Sequence, residues 1–155
     1  MDLSLYFDPV DLPSLGFEKD ITDVNLLASS ILMYNPEAPL NIQDAQLAIV
    51  GVPESRNSYQ NASCSLAPDE IRRQLYQLYR WNKNVRIIDL GNVKVGQTIE
   101  DTYEVVSSIL AYLLENKVIP IILGGGNDLA FANYRAYEKL EQVVNLVAVD
   151  SRFDL

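Results

Sequence analysis

The sequence predicts an α/β fold: three αβα layers around a mainly parallel sheet, of which about the first four strands are present. Three observations predict it. Four short and almost wholly apolar runs, "QLAIVGV", "VRIIDLG", "VIPIILG" and "VNLVAVD", alternate with longer segments of helical periodicity. Continuous apolar runs of that length read as strands buried on both faces, as helices on either side of a parallel sheet make them. Each run also stops at a small polar cluster, and the carboxyl ends of parallel strands are where such folds gather their ligands.

Residues 1–45 read as an N-terminal arm and helix, and residues 46–155 as the α/β domain. The first 20 residues are rich in Pro and Asp and predict an irregular arm. "DVNLLASSILMY" then sets Val24, Leu27, Ile31 and Tyr34 at helical spacing, and the two prolines of "NPEAPLNIQD" end that segment. "QLAIVGV" is the first strand and "NSYQNASCSLA" a polar loop. Pro68 opens a helix, where a missing N–H costs nothing, with Ile71, Leu75 and Leu78 as its apolar stripe. "VRIIDLG" is the second strand. "TIED" reads as a capping box, Thr98 as N-cap and Asp101 at N3. It leads a helix with Val105, Val106, Ile109, Leu110, Leu113 and Leu114 facing inward. "VIPIILG" is the third strand, although Pro120 removes a ladder donor from it. "DLAFANYRAYEKLEQV" is a third helix and "VNLVAVD" a fourth strand. The loops "GVPESRN", "DLGN", "GGGND" and "DSRFD" should therefore line one edge of the sheet. No helix follows the fourth strand, which predicts a fragment or a domain completed by a partner, and an apolar edge of this kind predicts a homo-oligomer or partner chain.

The chain has 155 residues, 48% of them hydrophobic and 21% charged, enough for one domain with its own core. Twelve basic residues against twenty-one acidic ones give a formal charge of −9. That balance argues against nucleic acid or an anionic membrane as partner. The amino terminus lacks the basic flank and apolar core of a secretory signal, and the apolar runs are too short to span a bilayer. A single cysteine, Cys64, rules out an intrachain disulfide and fits the cytoplasm; no activating neighbour marks it as reactive. There is no histidine. A Cys/His zinc site and Ser-His-Asp or Cys-His catalysis are thereby excluded, and a metal held within this chain would need oxygen ligands.

Three loops carry the candidate chemistry. "GGGN", between the third strand and its helix, can be read as an anion cradle using Gly124, Gly125, Gly126 and Asp128. The favoured reading is a tight turn with Asn127 as N-cap and Asp128 in the first helical turn, because no phosphate-binding spacing is present and Asp128 would repel a phosphate. Asp150 and Asp154 could together hold a hard cation, but Arg152 lies between them and a guanidinium pairs with carboxylates in a cation's place. "DLGN", Asp89 to Asn92, reads as a strand-ending turn that uses the backbone freedom of Gly91. Tyr76, Tyr79, Tyr134 and Tyr137 fall on helix faces, where packing explains them.

The succession "AIVGVPES…NASCSLAPDEIRRQLYQL…IIDLGNV…IPIILGGGNDLAF…LVAVDSRFDL" resembles the first half of the ureohydrolase superfamily of arginases, agmatinases and formimidoylglutamases. The resemblance covers about residues 46–155. It rests on five motifs in order: G-x-P, G-P-x-x-I-R, D-x-G-D, G-G-D-H-S and D-A-H-x-D. It implies a parallel α/β fold carrying two manganese ions at the strand ends, where a metal-bridging hydroxide attacks a guanidinium or formimino carbon. The departures fall on the implied ligands. Gly126 stands where the family has Asp, Asn127 and Arg152 stand where it has ligand His, and Asn92 replaces the last Asp of D-x-G-D. Asp150 and Asp154 keep carboxylates at ligand positions. Arg152 would repel a dication as well as fail to bind one. The sequence thus predicts a relic: the fold kept, the manganese chemistry lost, and no cofactor in this chain. A small guanidino or formimino compound is the ligand the resemblance implies. The alternatives are the N-terminal part of an active or altered C–N hydrolase completed beyond residue 155, and a small-anion or nucleotide-binding module on the GGGN loop.

Overall fold

The computed structural model of the protein describes residues 3–18, 21–38, 41–80 and 84–150. Its strands are β1 (Phe7–Asp8), β2 (Ile31–Met33), β3 (Leu47–Gly51), β4 (Ile87–Val93) and β5 (Ile119–Leu123). Its α-helices are α1 (Ala67–Leu75), α2 (Ile99–Glu115) and α3 (Leu129–Lys139). The strands form one sheet in the order β1-β4-β3-β5, and β2 also pairs with β4. β1 runs antiparallel to β4; the other pairings are parallel. The expected mainly parallel sheet between helical layers is therefore what forms.

Alternation along β3 shows how the layers arise. Ala48 and Val50 point into a core shared with Val106, Ile109, Leu110 and Leu113 of α2 and with Leu129, Ala132 and Ala136 of α3. Ile49 points the other way, toward Tyr76 at the end of α1, Ile31 and Leu123. α2 starts at the capping box legible in "TIED": Asp101 N–H donates to Thr98 Oγ1 at 3.1 Å, and Thr98 N–H donates to the Asp101 carboxylate at 2.8 Å. Among the described residues no helix is long and apolar enough to cross a membrane.

Several expectations from the sequence are corrected. The helix expected over residues 24–34 is a 3₁₀ turn, Leu27–Ser30, followed by β2. Ser29 and Ser30 fold their hydroxyls back onto the Leu26 and Leu27 carbonyls, and Ile31 gains a ladder on β4 that an isolated helix of that length could not match. The arm over residues 1–20 is not wholly irregular, since β1 lies within it. The stripe of Ile71, Leu75 and Leu78 faces the core only in part. Ile71 and Leu78 are exposed; of the three only Leu75, half-buried, packs against the core, and the fully buried long side chains here are Arg72 and Tyr76. Pro120 does lie within β5, and without loss. Ile119 N–H donates to Gln46 O and Leu123 O accepts from Val52 N–H, so Pro120 faces away from β3, where no ladder bond is due. "VNLVAVD" is not a fourth strand: residues 145–150 pair with no strand and are exposed, Val149 at 98%. The apolar composition of that run needs a neighbouring strand to become a ladder, and it pairs with none among the described residues.

Candidate functional site

Two of the four expected loops, those after β3 and β5, meet at the carboxyl ends of their strands. The loop after β3 is fixed from within. Glu54, 2% exposed, accepts from the backbone N–H groups of Ser55 and Arg56, both at 2.9 Å. The Arg56 guanidinium closes on the same carboxylate at 3.0 and 2.5 Å and holds its pKa down at about 2. Arg56 also donates to Gln97 O at 2.8 Å and to the Thr102 hydroxyl at 3.0 Å, which ties this loop to the start of α2.

The loop after β5 packs directly on that one. Gly126 N–H donates to Glu54 O at 2.8 Å, and a Cβ on Gly125 would overlap the same carbonyl. A Cβ on Gly126 would collide with the Asp128 carboxylate and lie 2.5 Å from Ser58 Oγ. The Asp128 carboxylate accepts a short hydrogen bond from Tyr103 O–H of α2, and the Tyr103 oxygen accepts from Asn57 Nδ2 at 3.0 Å. Burial and the neighbouring Asp128 push the Tyr103 phenol up to about 12. Ser58 Oγ lies 3.1 Å from Cys64 Sγ, which is buried. Together Asn57, Ser58, Tyr59, Asn61 and Gly125–Asp128 line an open cleft of about 240 Å³.

Asn127 is not the N-cap. α3 begins at Leu129, preceded by a helical Asp128 whose carboxylate is turned to Tyr103 instead of the helix amides. The amides of Leu129, Ala130 and Phe131 donate to Gly126, Asn127 and Asp128 carbonyls. With Gly126 N–H on Glu54, little of the donor set that an anion cradle would use is left.

Sequence reasoning missed two hydrogen-bond networks. One is the Asn57–Tyr103–Asp128 chain, whose members lie 46 and 25 positions apart. The other lies under β4. Arg72 and Asp89, both fully buried, pair at 2.9 and 2.8 Å, and Tyr76 O–H donates to Asp89 at 2.7 Å. Arg72 further donates to Asn92 Oδ1 at 2.6 Å and to Gly91 O at 2.9 Å. "DLGN" is thus no strand end but a bulge inside β4, with Gly91 at φ 89°. The available signal was an aspartate within "RIIDLG", which a buried strand tolerates only with a partner.

Asp150 is exposed at the end of the segment that forms no strand. Arg152 and Asp154 lie outside the described residues. Among the described residues no cluster of three or more His, Cys, Asp or Glu could hold a metal ion. The donor set around the β5–α3 loop does not fit a two-manganese centre. Gly126 has no side chain, Asn127 offers a neutral amide, and the Asp128 carboxylate is engaged by Tyr103.

Comparison with known proteins places this geometry. Residues 45–155 match the arginase family. A formimidoylglutamase of Streptococcus gordonii is 27% identical over 122 residues, covering 74% of this chain and 37% of that protein. One from Legionella pneumophila, strain Philadelphia 1, is 26% identical over 141 residues, covering 88% and 44%. The crystal structure of Bacillus subtilis formimidoylglutamase superposes with a TM-score of 0.64 at 21% identity, covering 81% of this chain and 41% of that one. The Trypanosoma cruzi formiminoglutamase with Mn²⁺ superposes with a TM-score of 0.61 at 22% identity, covering 74% and 40%. The chain therefore spans about two fifths of the length of these relatives. The three-layer fold and the matched span together establish that the chain belongs to the arginase family.

Proposed function

We propose that this formimidoylglutamase-like domain has lost manganese-dependent hydrolysis and persists as a binding or structural domain. The observation that carries the reading is the crowding at Gly126. A side chain there would have to displace both the Asp128 carboxylate and Ser58. The position that resembles the family's first carboxylate is thus filled by a different network, built on Tyr103 and Asn57. The absence of histidine from all 155 residues supports the same conclusion, as imidazole is the ligand the resemblance requires at Asn127 and Arg152. Charge adds to it, because a guanidinium at 152 would oppose a bound dication.

Titration calorimetry of Mn²⁺ into the metal-free protein, with assays of N-formimidoylglutamate, agmatine and arginine hydrolysis, tests the reading. The expected outcome is no saturable Mn²⁺ binding and no release of formamide, ammonia or urea. Manganese-dependent turnover of any of the three would overturn it. A guanidino or formimino compound binding without turnover would agree with a retained binding role, in the cleft formed by Asn57–Asn61 and Gly125–Asp128.

A further inference from the structure

The cleft between the β3 and β5 loops has walls whose chemistry selects a ligand. Asn57, Ser58, Tyr59 and Asn61 come from one loop and Gly125–Asp128 from the other. The two loops are locked together by Gly126 N–H on Glu54 O and by Asn57, Tyr103 and Asp128 in one hydrogen-bonded chain. Its volume of about 240 Å³ suits a single ring-sized molecule.

Charge rules out two kinds of ligand. No basic side chain lines the cleft. Arg56, on the same loop, is spent on Glu54, on the Gln97 and Thr98 carbonyls and on the Thr102 hydroxyl. An anion therefore meets only the Asp128 carboxylate, which repels it. A guanidinium fares little better. It is held best by a carboxylate that offers both oxygens side by side. Here Oδ2 of Asp128 accepts from Tyr103 O–H and Oδ1 packs over Gly126. Glu54, the other carboxylate of these loops, is 2% exposed and closed by Arg56.

What remains is neutral and polar. Asn57 uses one amide N–H on Tyr103 at 3.0 Å, which leaves its oxygen and second N–H. Asn61 precedes a 3₁₀ turn without capping it through its side chain. The Asp128 carboxylate has lone pairs for a further O–H. An amide donates and accepts at once, as a hydroxyl does, so a row of amides matches a row of hydroxyls. Tyr59 adds an aromatic face among them, and Gln60 Nε2 donates to its hydroxyl oxygen at 3.2 Å. Gln60 itself takes φ 51°, a left-handed backbone uncommon for a residue with a side chain. Strain of this kind is retained where it aims its neighbours, here Tyr59 and Asn61.

We propose that this cleft binds a neutral polyhydroxy compound of about one sugar ring, stacked on Tyr59 and hydrogen-bonded by Asn57, Asn61 and Asp128. The inference rests on the retained binding role stated above and replaces the charged amidine with an uncharged ligand.

Saturation-transfer NMR and calorimetry on the protein test it, with D-glucose, D-galactose and myo-inositol as neutral probes and agmatine and glutamate as charged ones. At least one neutral probe is expected to bind saturably, with a Kd on the order of 1 mM or tighter. Transfer should be strongest to the C–H groups of one ring face. Tyr59→Ala and Asn61→Ala, both at exposed positions, should each weaken binding at least about tenfold while leaving the urea midpoint unchanged. Binding of no neutral probe, binding that neither variant weakens, or agmatine or glutamate held more tightly than every neutral probe would overturn it. The loss of manganese-dependent hydrolysis is read separately, from product release, so either reading can fail without the other.

Discussion

At the scale of single residues, the two buried carboxylates behave differently because their partners do. Asp89 is fully buried and faces a fully buried Arg72. Asp89→Leu should destabilise the fold by about 3–5 kcal/mol, since it strands a charge in the core, whereas Arg72→Leu/Asp89→Leu should cost far less than the two single changes added together. Urea unfolding of the three variants checks this. Glu54 is held at about 2 by hydrogen bonds from Arg56, against an ordinary 4.5. A lowered folded pKa means its stabilisation is complete above about pH 4.5 and is lost as the pH falls toward 2. Glu54→Gln should remove that part of the acid dependence, seen as a flatter stability profile in the same window. Neither carboxylate was read in the sequence as a buried ion-pair partner, because the partner of Asp89 is a helical arginine seventeen positions away. The apolar residues at 71, 75 and 78 suggested instead that the helix turned a different face inward.

At the scale of elements, local signals were legible where local bonds decide the outcome. The capping box at Thr98 and Asp101 needs only four consecutive residues, and α2 starts where it predicts. Thr98→Ala should cost about 1 kcal/mol in thermal or denaturant unfolding, and slightly more if the Arg56 contact to the Thr98 carbonyl shifts with it. The segment over residues 24–34 misled because its helical spacing is equally served by a short turn followed by a strand. The three-residue ladder on β4 decides between them. β5 shows the converse: Pro120 was a reason to doubt the strand, and its outward register removed the objection.

At the scale of the whole molecule, the N-terminal segment and the α/β region share one sheet. β1 and β2 both pair with β4, and Phe7, Ile42 and Ala45 sit in the same core as Ile88 and Leu90. Deleting residues 1–45 should therefore expose an edge of β4 and open that core. The expected result is a truncated chain without a cooperative unfolding transition, against a single transition in the intact protein. Calorimetry of the two distinguishes them.

The sequence by itself determined the fold class, the family resemblance, the start of α2 and the absence of every imidazole from these residues, because these follow from composition, periodicity and motifs within a few residues of one another. Only the tertiary structure decided that Asp128 turns to Tyr103, that a side chain at 126 would collide with Asp128 and Ser58, that Arg72 is buried on Asp89, and that residues 145–149 form no strand. Each of these depends on groups brought together from distant parts of the chain, and which distant groups meet is set by sheet order and helix rotation, neither of which a local pattern encodes.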